Sequence, residues 1–299
     1  MIRMKNVSKE FDGLDAVAKV DMSVHKGSIY GLVGSNGAGK TTLLKLIAGI
    51  YRQDNGDVTV NGEAVYENVG LKDSIFFIPD YPYFFPQYTI IQMANFYKSV
   101  YAGWDDGRFN RLLELFEIDM KKKLHTYSKG LQRQTAFILA LSTMPEILLL
   151  DEPMDGLDPV VRKKVKNLLI QDVADREMTL LISSHNLREI EDICDHIGIL
   201  HKGKLVIEKE LDDLKSDVHK IQVAFKGEIP AEMLERLKPL HTEKRGSVLL
   251  CVVRGREDEI STVVDEFNPV IFDLLPLTLE EIFIYEMGDI GYAIKNVLV

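Results

Sequence analysis

The stretch that decides the fold of this chain is Gly34-Ser35-Asn36-Gly37-Ala38-Gly39-Lys40-Thr41-Thr42. It matches the pattern G-x-x-x-x-G-K-[ST], in which backbone N–H groups surround phosphate oxygens. A strand-like run, Ser28–Val33, precedes it, and apolar residues at helical spacing follow from Leu43. This order of strand, glycine-rich loop and helix predicts a phosphate-binding site in an α/β fold. Lys40 is expected to contact the β- and γ-phosphates, and the Thr41 hydroxyl to bind Mg²⁺.

Two further strands are predicted to carry polar side chains to the same edge of the sheet. Ile147–Leu150 runs directly into Asp151 and Glu152, and Leu180–Ser184 is followed by His185. Four consecutive aliphatic residues are typical of a central parallel strand, and ligands bind at the carboxyl ends of such strands. Adjacent carboxylates repel each other at a buried strand end. We therefore expect Asp151 and Glu152 to face a metal ion and a water molecule.

The segment at about residues 80–145 predicts a helical insertion. It contains helical patterns at Ile90–Tyr101 and Arg108–Ile118, and a third helix, apolar almost all round, that begins after the N-cap Ser128. A proline-broken loop before these helices is rich in aromatic side chains, namely Tyr81, Tyr83, Phe84, Phe85 and Tyr88. Two interpretations stay open for this loop: a surface for a partner protein, or the packing of the insertion's own core.

The last part of the chain predicts a separate small domain. After a linker helix over Leu211–Val218, strands and helices alternate in the order β-α-β-β-α-β, which is that of a ferredoxin-like unit. A final helix is predicted over Leu279–Met287. No site chemistry is visible in this region, which favours a packing or dimer-support module over a ligand sensor. We therefore expect two domains, residues 1–210 and residues 211–299.

Composition excludes some classes of partner and compartment. The chain has 299 residues and a formal net charge of −10, which argues against nucleic acid as a partner because nucleic acid attracts basic surfaces. The two cysteines, Cys194 and Cys251, predict free thiols in a reducing compartment. No apolar run approaches the roughly 18 residues that span a bilayer, and Met1–Lys5 lacks a signal-peptide core. We expect a cytoplasmic protein.

Taken in order, these motifs resemble the nucleotide-binding subunit of ATP-binding-cassette (ABC) transporters over about residues 1–210. Gly34–Thr42 matches the family's Walker A loop, and Ile147–Glu152 its Walker B strand with the catalytic glutamate. Ser128-Lys129-Gly130-Leu131-Gln132 matches the signature loop, Asp155-Gly156-Leu157-Asp158 the D-loop, and His185 the switch histidine. The family fold is a P-loop NTPase core of the RecA type, with an antiparallel β subdomain and a helical insertion.

Three positions depart from the family pattern. Lys129 stands where the signature usually has a second glycine, and Phe11 replaces the tyrosine that more usually stacks on adenine. Considered alone, Phe11 favours a small-core position over a ligand contact. Asp80 falls at the place of the Q-loop glutamine, and Gln87 lies farther downstream. An aspartate can bind Mg²⁺ or hold water, but it cannot donate a hydrogen bond as an amide does.

The resemblance implies an ATPase subunit that drives a membrane transporter. Two copies, or this chain and a paralogue, would face each other head to tail with two ATP molecules between them. Glu152 is then the general base and His185 contacts the γ-phosphate. The metal residues are Thr41, Asp151 and Asp80; the nucleotide-binding residues are Phe11, Gly34, Ser35, Asn36, Gly37, Ala38, Gly39, Lys40, Thr41, Thr42, Ser128, Lys129, Gly130 and Asp158. Ser128 and the amides around Gly130 are expected to come from the opposite subunit.

The implied partner is a transmembrane permease on a separate chain, and the implied location is the inner face of the cell membrane. The aromatic-rich insertion and the C-terminal unit are similar to those of bacterial export or drug-resistance cassettes. The alternative is a soluble ABC-type ATPase that acts on ribosomes or DNA. Such proteins usually have two cassettes, a long coiled coil or basic surfaces. A P-loop kinase or GTPase accounts neither for Ser128–Gln132 nor for His185.

Overall fold

The computed structural model describes residues 2–289, with side chains through Tyr285; Met1 and residues 290–299 of the predicted C-terminal domain lie outside them. The strands are β1 (Ile2–Phe11), β2 (Leu14–Val24), β3 (Ile29–Val33), β4 (Asn55–Val60), β5 (Glu63–Ala64), β6 (Ile75–Ile78), β7 (Ile147–Asp151), β8 (Thr179–Ser184), β9 (His196–His201), β10 (Lys204–Glu210), β11 (Val218–Ala224), β12 (His241–Arg245), β13 (Val248–Arg254) and β14 (Ile271–Leu275). The α-helices are α1 (Lys40–Ile47), α2 (Val69–Ser74), α3 (Ile90–Val100), α4 (Asp106–Phe116), α5 (Lys129–Ser142), α6 (Pro159–Arg176), α7 (Leu187–Glu191), α8 (Leu211–Ser216), α9 (Ala231–Leu237), α10 (Glu257–Asp265) and α11 (Leu279–Asp289).

The chain divides into a compact unit that ends at Glu208 and a second that begins at Lys209. The first unit contains two sheets, with strand orders β2-β1-β4-β5 and β10-β9-β3-β8-β7-β6. The smaller sheet is antiparallel, and β6, β7, β8, β3 and β9 of the larger sheet pair in parallel. The predicted P-loop NTPase core with an antiparallel β subdomain is thereby confirmed.

The register of the larger sheet brings the predicted site residues together. Every residue of β3, β7 and β8 is buried, as the mostly apolar sequences of these strands predict. In β8, Ser183 pairs with Asp151 of β7 and Ser184 pairs with Val33 of β3. The three strands run in parallel, so their carboxyl ends lie side by side. The P-loop, the carboxylates after β7 and His185 after β8 therefore leave the sheet at the same edge.

The two helices predicted early in the insertion are confirmed, and side-chain caps explain where they begin. Thr89 and Gln92 form a capping box at the start of α3. The Asp105 side chain accepts a hydrogen bond from the Arg108 N–H group, so α4 starts at Asp106, two residues earlier than its apolar pattern suggests.

The aromatic loop contains both buried and exposed side chains. Phe84 is buried, and the Phe85 ring centroid lies 4.9 Å from that of Tyr88. Phe84 therefore belongs to the packing of the insertion, whereas Phe85 and Tyr88, 38% and 37% exposed, contact each other at its surface. By contrast, Tyr81 and Tyr83 are 76% and 74% exposed, so they form an apolar surface that the insertion itself does not cover.

Over its described residues, 209–289, the second unit contains one antiparallel sheet with strand order β12-β13-β11-β14. Together with the chain order β11, α9, β12, β13, α10, β14, this is the arrangement of a ferredoxin-like unit. Its core consists of buried side chains from both helices and the two central strands: Ile221, Val223, Met233, Leu237, Leu249, Cys251, Val253, Ile260 and Val264. The linker helix is shorter than expected, because α8 ends at Ser216 and β11 begins at Val218.

Truncation after Glu210 is expected to leave a folded first unit, because the chain divides into two compact units near this position and the second unit has a buried cluster of its own. The cut keeps Glu208, whose carboxylate accepts hydrogen bonds from the Ser23 N–H group at 3.0 Å and the Tyr30 hydroxyl at 3.1 Å. Thermal melting followed by circular dichroism tests this expectation. A control truncation after Gly203 removes β10 with Glu208 and should melt at a lower temperature. An insoluble fragment after the Glu210 cut would show that the units depend on each other to fold.

Candidate functional site

The backbone between β3 and α1 is shaped by glycines that have no room for a side chain. Gly39 precedes α1 with a φ of 109°, and a Cβ atom there would lie 2.3 Å from the carbonyl oxygen of Ala16. At Gly34 a Cβ atom would lie 2.4 Å from the carbonyl oxygen of Leu200. Because Gly39 offers no side chain to cap α1, the first N–H groups of this helix can donate to an anion at its positive end.

Lys40 links the P-loop to the end of β7. Its side chain is buried, and Nζ donates hydrogen bonds to the carbonyl oxygens of Gly34 at 2.6 Å and Ser35 at 3.4 Å. The same Nζ lies 3.1 Å from Oε1 of Glu152. The positive charge of Lys40 thus compensates one of the two adjacent carboxylates that the sequence places here.

Each carboxylate oxygen of Asp151 accepts a hydrogen bond from a hydroxyl group. The carboxylate is almost completely buried; Thr41 Oγ1 donates to Oδ2 at 2.7 Å, and Ser183 Oγ donates to Oδ1 at 2.6 Å. Sequence analysis did not single out Ser183. The available signal was its position beside the end of a buried strand, but its contact depends on the pairing of β7 with β8.

Glu152 and His185 form a pair at the same edge. Oε2 of Glu152 lies 2.9 Å from Nδ1 of His185 and accepts a hydrogen bond from the His185 N–H group at 3.2 Å. Since Oε1 contacts Lys40, both carboxylate oxygens have partners. Glu152 has a φ of 46°, in the left-handed region that residues with a side chain rarely adopt.

The carboxylate of Glu189, in α7, has partners in two neighbouring segments. Burial raises the pKa of Glu189, while the nearby Arg162 guanidinium acts in the opposite direction. Nη1 of Arg162, in α6, lies 3.1 Å from Oε1 of Glu189. Ser184 Oγ donates to Oε2 of Glu189 at 3.4 Å. The Arg162–Glu189 pair thus connects α6 to α7, and Glu189 also contacts Ser184, the residue that precedes His185.

A cavity of about 340 Å³ lies between the P-loop and the ends of the strands. Its walls come from the loop and the first turn of α1, from the acids that follow β6 and lie at the end of β7, and from one residue of β2: Asn36, Gly37, Ala38, Gly39, Lys40, Thr41, Thr42, Asp80, Asp151, Glu152 and Ala16. Asp80 thus lies near Thr41 and Asp151, although its Oδ1 accepts a hydrogen bond from Nη2 of Arg133 at 2.9 Å. Gln87 does not line this cavity, and its Oε1 accepts from Lys123 Nζ at 2.9 Å.

Arg133 is the residue that sequence analysis missed most clearly. It is buried in α5, and its guanidinium donates to the carbonyl oxygens of Glu152 and Asp80 as well as to the Asp80 carboxylate. A charged residue in a helix that is otherwise apolar nearly all round was the available signal, because a buried guanidinium requires partners.

The signature loop and the D-loop contact each other, but they do not line this cavity. Ser128 caps α5 by accepting from the Leu131 N–H group at 3.3 Å, and Asp158 caps α6 by accepting from Val160 and Val161 at 3.0 Å. Lys129 is the first residue of α5, so its backbone is helical and suits a lysine. A Cβ atom at Gly130 would lie 3.0 Å from the carbonyl oxygen of Gly156.

Phe11 lies at the end of β1, outside the residues that line the cavity. Its ring is 40% exposed and meets Tyr51 edge to face, with 5.4 Å between the ring centroids. Nζ of Lys9 lies 5.3 Å from the centroid of the Phe11 ring. Phe11 is therefore a surface aromatic in contact with two side chains and is not part of the buried core.

Comparison with known proteins places these features in one family. The model of the "ABC transporter" family matches residues 17–155. The ABC transporter ATP-binding protein YtrB of Bacillus subtilis (strain 168) is 34% identical over 96% of this chain and 98% of its own length. The bacitracin transport ATP-binding protein BcrA of Bacillus licheniformis is 32% identical, over 72% of this chain and 71% of its own length.

Solved structures agree on the fold of about 70% of the chain. The ATP-binding subunit of an ABC transporter superposes with a TM-score of 0.67 at 25% identity, over 72% of this chain and 92% of that one. The dimeric ATP-binding cassette MJ0796, in a post-hydrolysis state bound to ADP and Pi, superposes with a TM-score of 0.64 at 22% identity. That match covers 71% of this chain and 99% of the cassette.

Proposed function

This chain belongs to the ABC transporter family, and from that premise we propose that the cavity beside Lys40 is where it binds and hydrolyses ATP. The chain is an ATPase, the ATP-binding subunit of an ABC transporter. ABC ATP-binding subunits work with transmembrane permeases and dimerise. The observation that carries the assignment of the site is the meeting of the P-loop, the carboxylates after β7 and His185 at one sheet edge.

The P-loop residues bind the phosphates of ATP. N–H groups of the loop and of the first turn of α1 donate to phosphate oxygens, and the Lys40 ammonium adds a charge-assisted contact to the β- and γ-phosphates. Phe11 stacks on adenine with the exposed part of its ring. The fixed positions of Gly34 and Gly39, where a Cβ atom has no space, let the backbone approach the phosphates closely.

The residues at the end of β7 suit a Mg²⁺ ion bound together with ATP. Thr41 and Asp151, already in contact through Oγ1 and Oδ2, supply the oxygen donors that this hard cation prefers. A Mg²⁺ ion held by these residues would neutralise negative charge on the phosphates of ATP. Ser183 holds the other oxygen of Asp151 and so fixes the direction of its carboxylate.

Glu152 is the general base for hydrolysis. Its carboxylate takes a proton from the attacking water, whose oxygen bonds to the γ-phosphorus while the bond to the leaving ADP oxygen breaks. His185 orients Glu152 through Nδ1, which leaves Nε2 to contact the γ-phosphate and report its presence.

Each complete site requires two subunits. Ser128, Lys129 and Gly130 lie at the start of α5 and, like Asp158, do not line the P-loop cavity. An N-terminal helix end is suited to an anion, so we assign these residues to the ATP held by the P-loop of the opposite subunit, either a second copy or a paralogue. Binding of ATP would then close the dimer, and hydrolysis would let it open.

The membrane partner is a separate transmembrane chain, beside which this subunit works at the inner face of the membrane. Within residues 2–289, no helix combines the length and apolar character that crossing a bilayer requires. Tyr81 and Tyr83, in the loop that continues from Asp80, supply the exposed apolar surface for that contact. A movement of the membrane chain against this loop is therefore transmitted to the cavity wall.

Replacing Tyr81 and Tyr83 together with Ser is expected to release the transmembrane chain. ATPase activity of the purified subunit should stay within about twofold, because both side chains are exposed and neither lines the cavity. The measurement is purification of the tagged subunit from detergent-solubilised membranes. Val69, in α2 and 80% exposed, gives a control, Val69→Ser, that should keep the membrane chain. A wild-type subunit that co-purifies with ribosomes or nucleic acid instead would contradict the transporter assignment.

A further inference from the structure

Arg133 joins two segments of backbone that are far apart in the sequence. Nη1 donates to the carbonyl oxygen of Glu152, and Nη2 donates to the carbonyl oxygen of Asp80 and, at 2.9 Å, to Asp80 Oδ1. The Arg133 side chain is 8% exposed, against 36% for that of Asp80. The guanidinium is thus a buried cross-link between the carboxyl ends of β6 and β7.

The backbone of Glu152 needs such a cross-link. Its φ of 46° belongs to a region that a glutamate adopts only when its surroundings enforce it. The Glu152 N–H group donates to the carbonyl oxygen of Ser183 at 3.2 Å, and the Glu152 carbonyl oxygen accepts from the Asp155 N–H group at 3.4 Å. Arg133 supplies the charged donor to that carbonyl oxygen, and charge-assisted hydrogen bonds are the stronger kind.

The orientation of this peptide decides where the Glu152 carboxylate lies. Its two oxygens contact Lys40 and His185 at 3.1 and 2.9 Å. A change in the backbone angles of Glu152 would rotate the carboxylate away from both partners and from the attacking water. Since Arg133 holds the carbonyl oxygen of Glu152, it controls the direction of the carboxylate without touching ATP.

We propose that Arg133 is a positioning residue that sets the Glu152 carboxylate for hydrolysis and makes its position depend on the loop after Asp80. The inference rests on the proposed role of Glu152 as general base. The Asp80 carboxylate compensates the buried charge of Arg133, and the exposed Tyr81 and Tyr83 follow Asp80 in the chain. A displacement of this loop therefore moves Arg133 and, with it, the base.

Arg133→Gln tests the first half of the proposal. The turnover number should fall on the order of 10- to 100-fold, as a misplaced catalytic group typically costs, while binding of a fluorescent ATP analogue stays within about threefold because the P-loop is intact. Arg133→Lys should recover part of the loss, since an ammonium can still donate to one carbonyl oxygen. Turnover within about twofold of wild type in Arg133→Gln would overturn the proposal.

Arg176 provides the matched control. Its guanidinium likewise donates to a backbone carbonyl oxygen, that of Pro145 at 2.6 Å, and to a buried carboxylate, that of Asp172 at 3.0 Å. Arg176→Gln should lower the melting temperature without changing turnover at temperatures where the protein is folded. If Arg133→Gln behaves like Arg176→Gln, with lost stability and unchanged turnover, Arg133 is only a structural residue.

A double-mutant cycle tests the coupling to Asp80. Asp80→Ala should reduce the turnover number. If Asp80 acts through Arg133, adding Asp80→Ala to Arg133→Gln should lower the turnover number by less than about a further twofold. Asp80→Gln should keep most of the activity, because the amide oxygen still accepts from Arg133. Asp80 would instead serve the metal independently of Arg133 if two results were found. The fold losses in turnover of the two single variants would multiply in the double variant, and Asp80→Ala would need a higher Mg²⁺ concentration for half-maximal activity.

Glu152→Gln separates failure of this inference from failure of the proposed site. An active Glu152→Gln protein would remove the general base from the proposed function and with it the role of Arg133. An inactive Glu152→Gln protein beside a fully active Arg133→Gln protein would overturn the role of Arg133 alone. If Arg133→Gln does not fold, Arg133→Lys and the two Asp80 variants test the role of Arg133 instead. The same two quantities, turnover and nucleotide affinity, are then compared with those of the wild type.

Discussion

Glu152→Gln is expected to slow ATP hydrolysis on the order of 10²- to 10⁴-fold, the usual contribution of a general base. The amide keeps the shape of the side chain and can still accept from the His185 N–H group, which Glu152 Oε2 now does at 3.2 Å. It cannot take a proton from water as a carboxylate does. ATP binding should survive, because the P-loop is unchanged. Phosphate release and the affinity for a fluorescent ATP analogue measure the two properties separately.

The same variant should accumulate as a dimer in Mg²⁺-free ATP. If Ser128 and the amides around Gly130 contact the γ-phosphate held by the other subunit, ATP links the two subunits and hydrolysis releases them. Light scattering after size-exclusion chromatography should show a dimer with ATP and a monomer with ADP or without nucleotide. Adding Ser128→Arg should restore the monomer by placing bulk against the phosphate.

Glu146→Gln is the control for this experiment. Glu146 is exposed and precedes β7, at the opposite end of the strand from Glu152, so its replacement should leave turnover and oligomeric state unchanged. A Glu152→Gln monomer in every condition would contradict a self-sufficient homodimer and indicate a paralogous partner. A dimer that ignores nucleotide would locate the subunit contact elsewhere in the chain.

Lys40→Ala is expected to reduce hydrolysis by at least about 100-fold, the typical effect of removing one preorganised electrostatic contact from a transition state. Nucleotide affinity should fall as well, because the ammonium contacts the phosphates in the ground state too. The change also leaves Oε1 of Glu152 without the charge that now lies 3.1 Å away. Isothermal titration with ATP, together with steady-state turnover, measures both losses.

An exposed lysine serves as the control for the loss of a charge. Lys72, in α2, does not line the cavity, and Lys72→Ala should therefore bind and hydrolyse ATP as the wild type does. Melting curves of both variants establish that they are folded. Wild-type turnover in Lys40→Ala would remove Lys40 from the site and with it the assignment of the cavity.

The phosphate-binding loop was predictable from sequence because its chemistry is contiguous. Gly34–Thr42 contains the glycines, the lysine and the hydroxyl within nine consecutive residues, and the structure forms the loop between β3 and α1 as predicted. Buried parallel strands also have a local signal, an uninterrupted apolar run. The alternating elements after residue 210 predicted a ferredoxin-like unit for the same reason, since each strand and helix has its own period.

The tertiary structure decided the contacts that organise the acids. Ser183 and Asp151 are in contact although 32 positions separate them in the sequence, and Arg133 and Asp80 are in contact across 53 positions. The residues next to them in the sequence do not indicate either contact. Both contacts depend on which strand ends lie side by side in the sheet. From the sequence we expected a metal ion beside the two carboxylates at the end of β7, whereas the contact of Lys40 with Glu152 becomes visible only in the fold. The chemistry of a side chain depends on the residue type alone. Its hydrogen-bond and ion-pair partners depend on strand register and helix packing, which the whole chain determines.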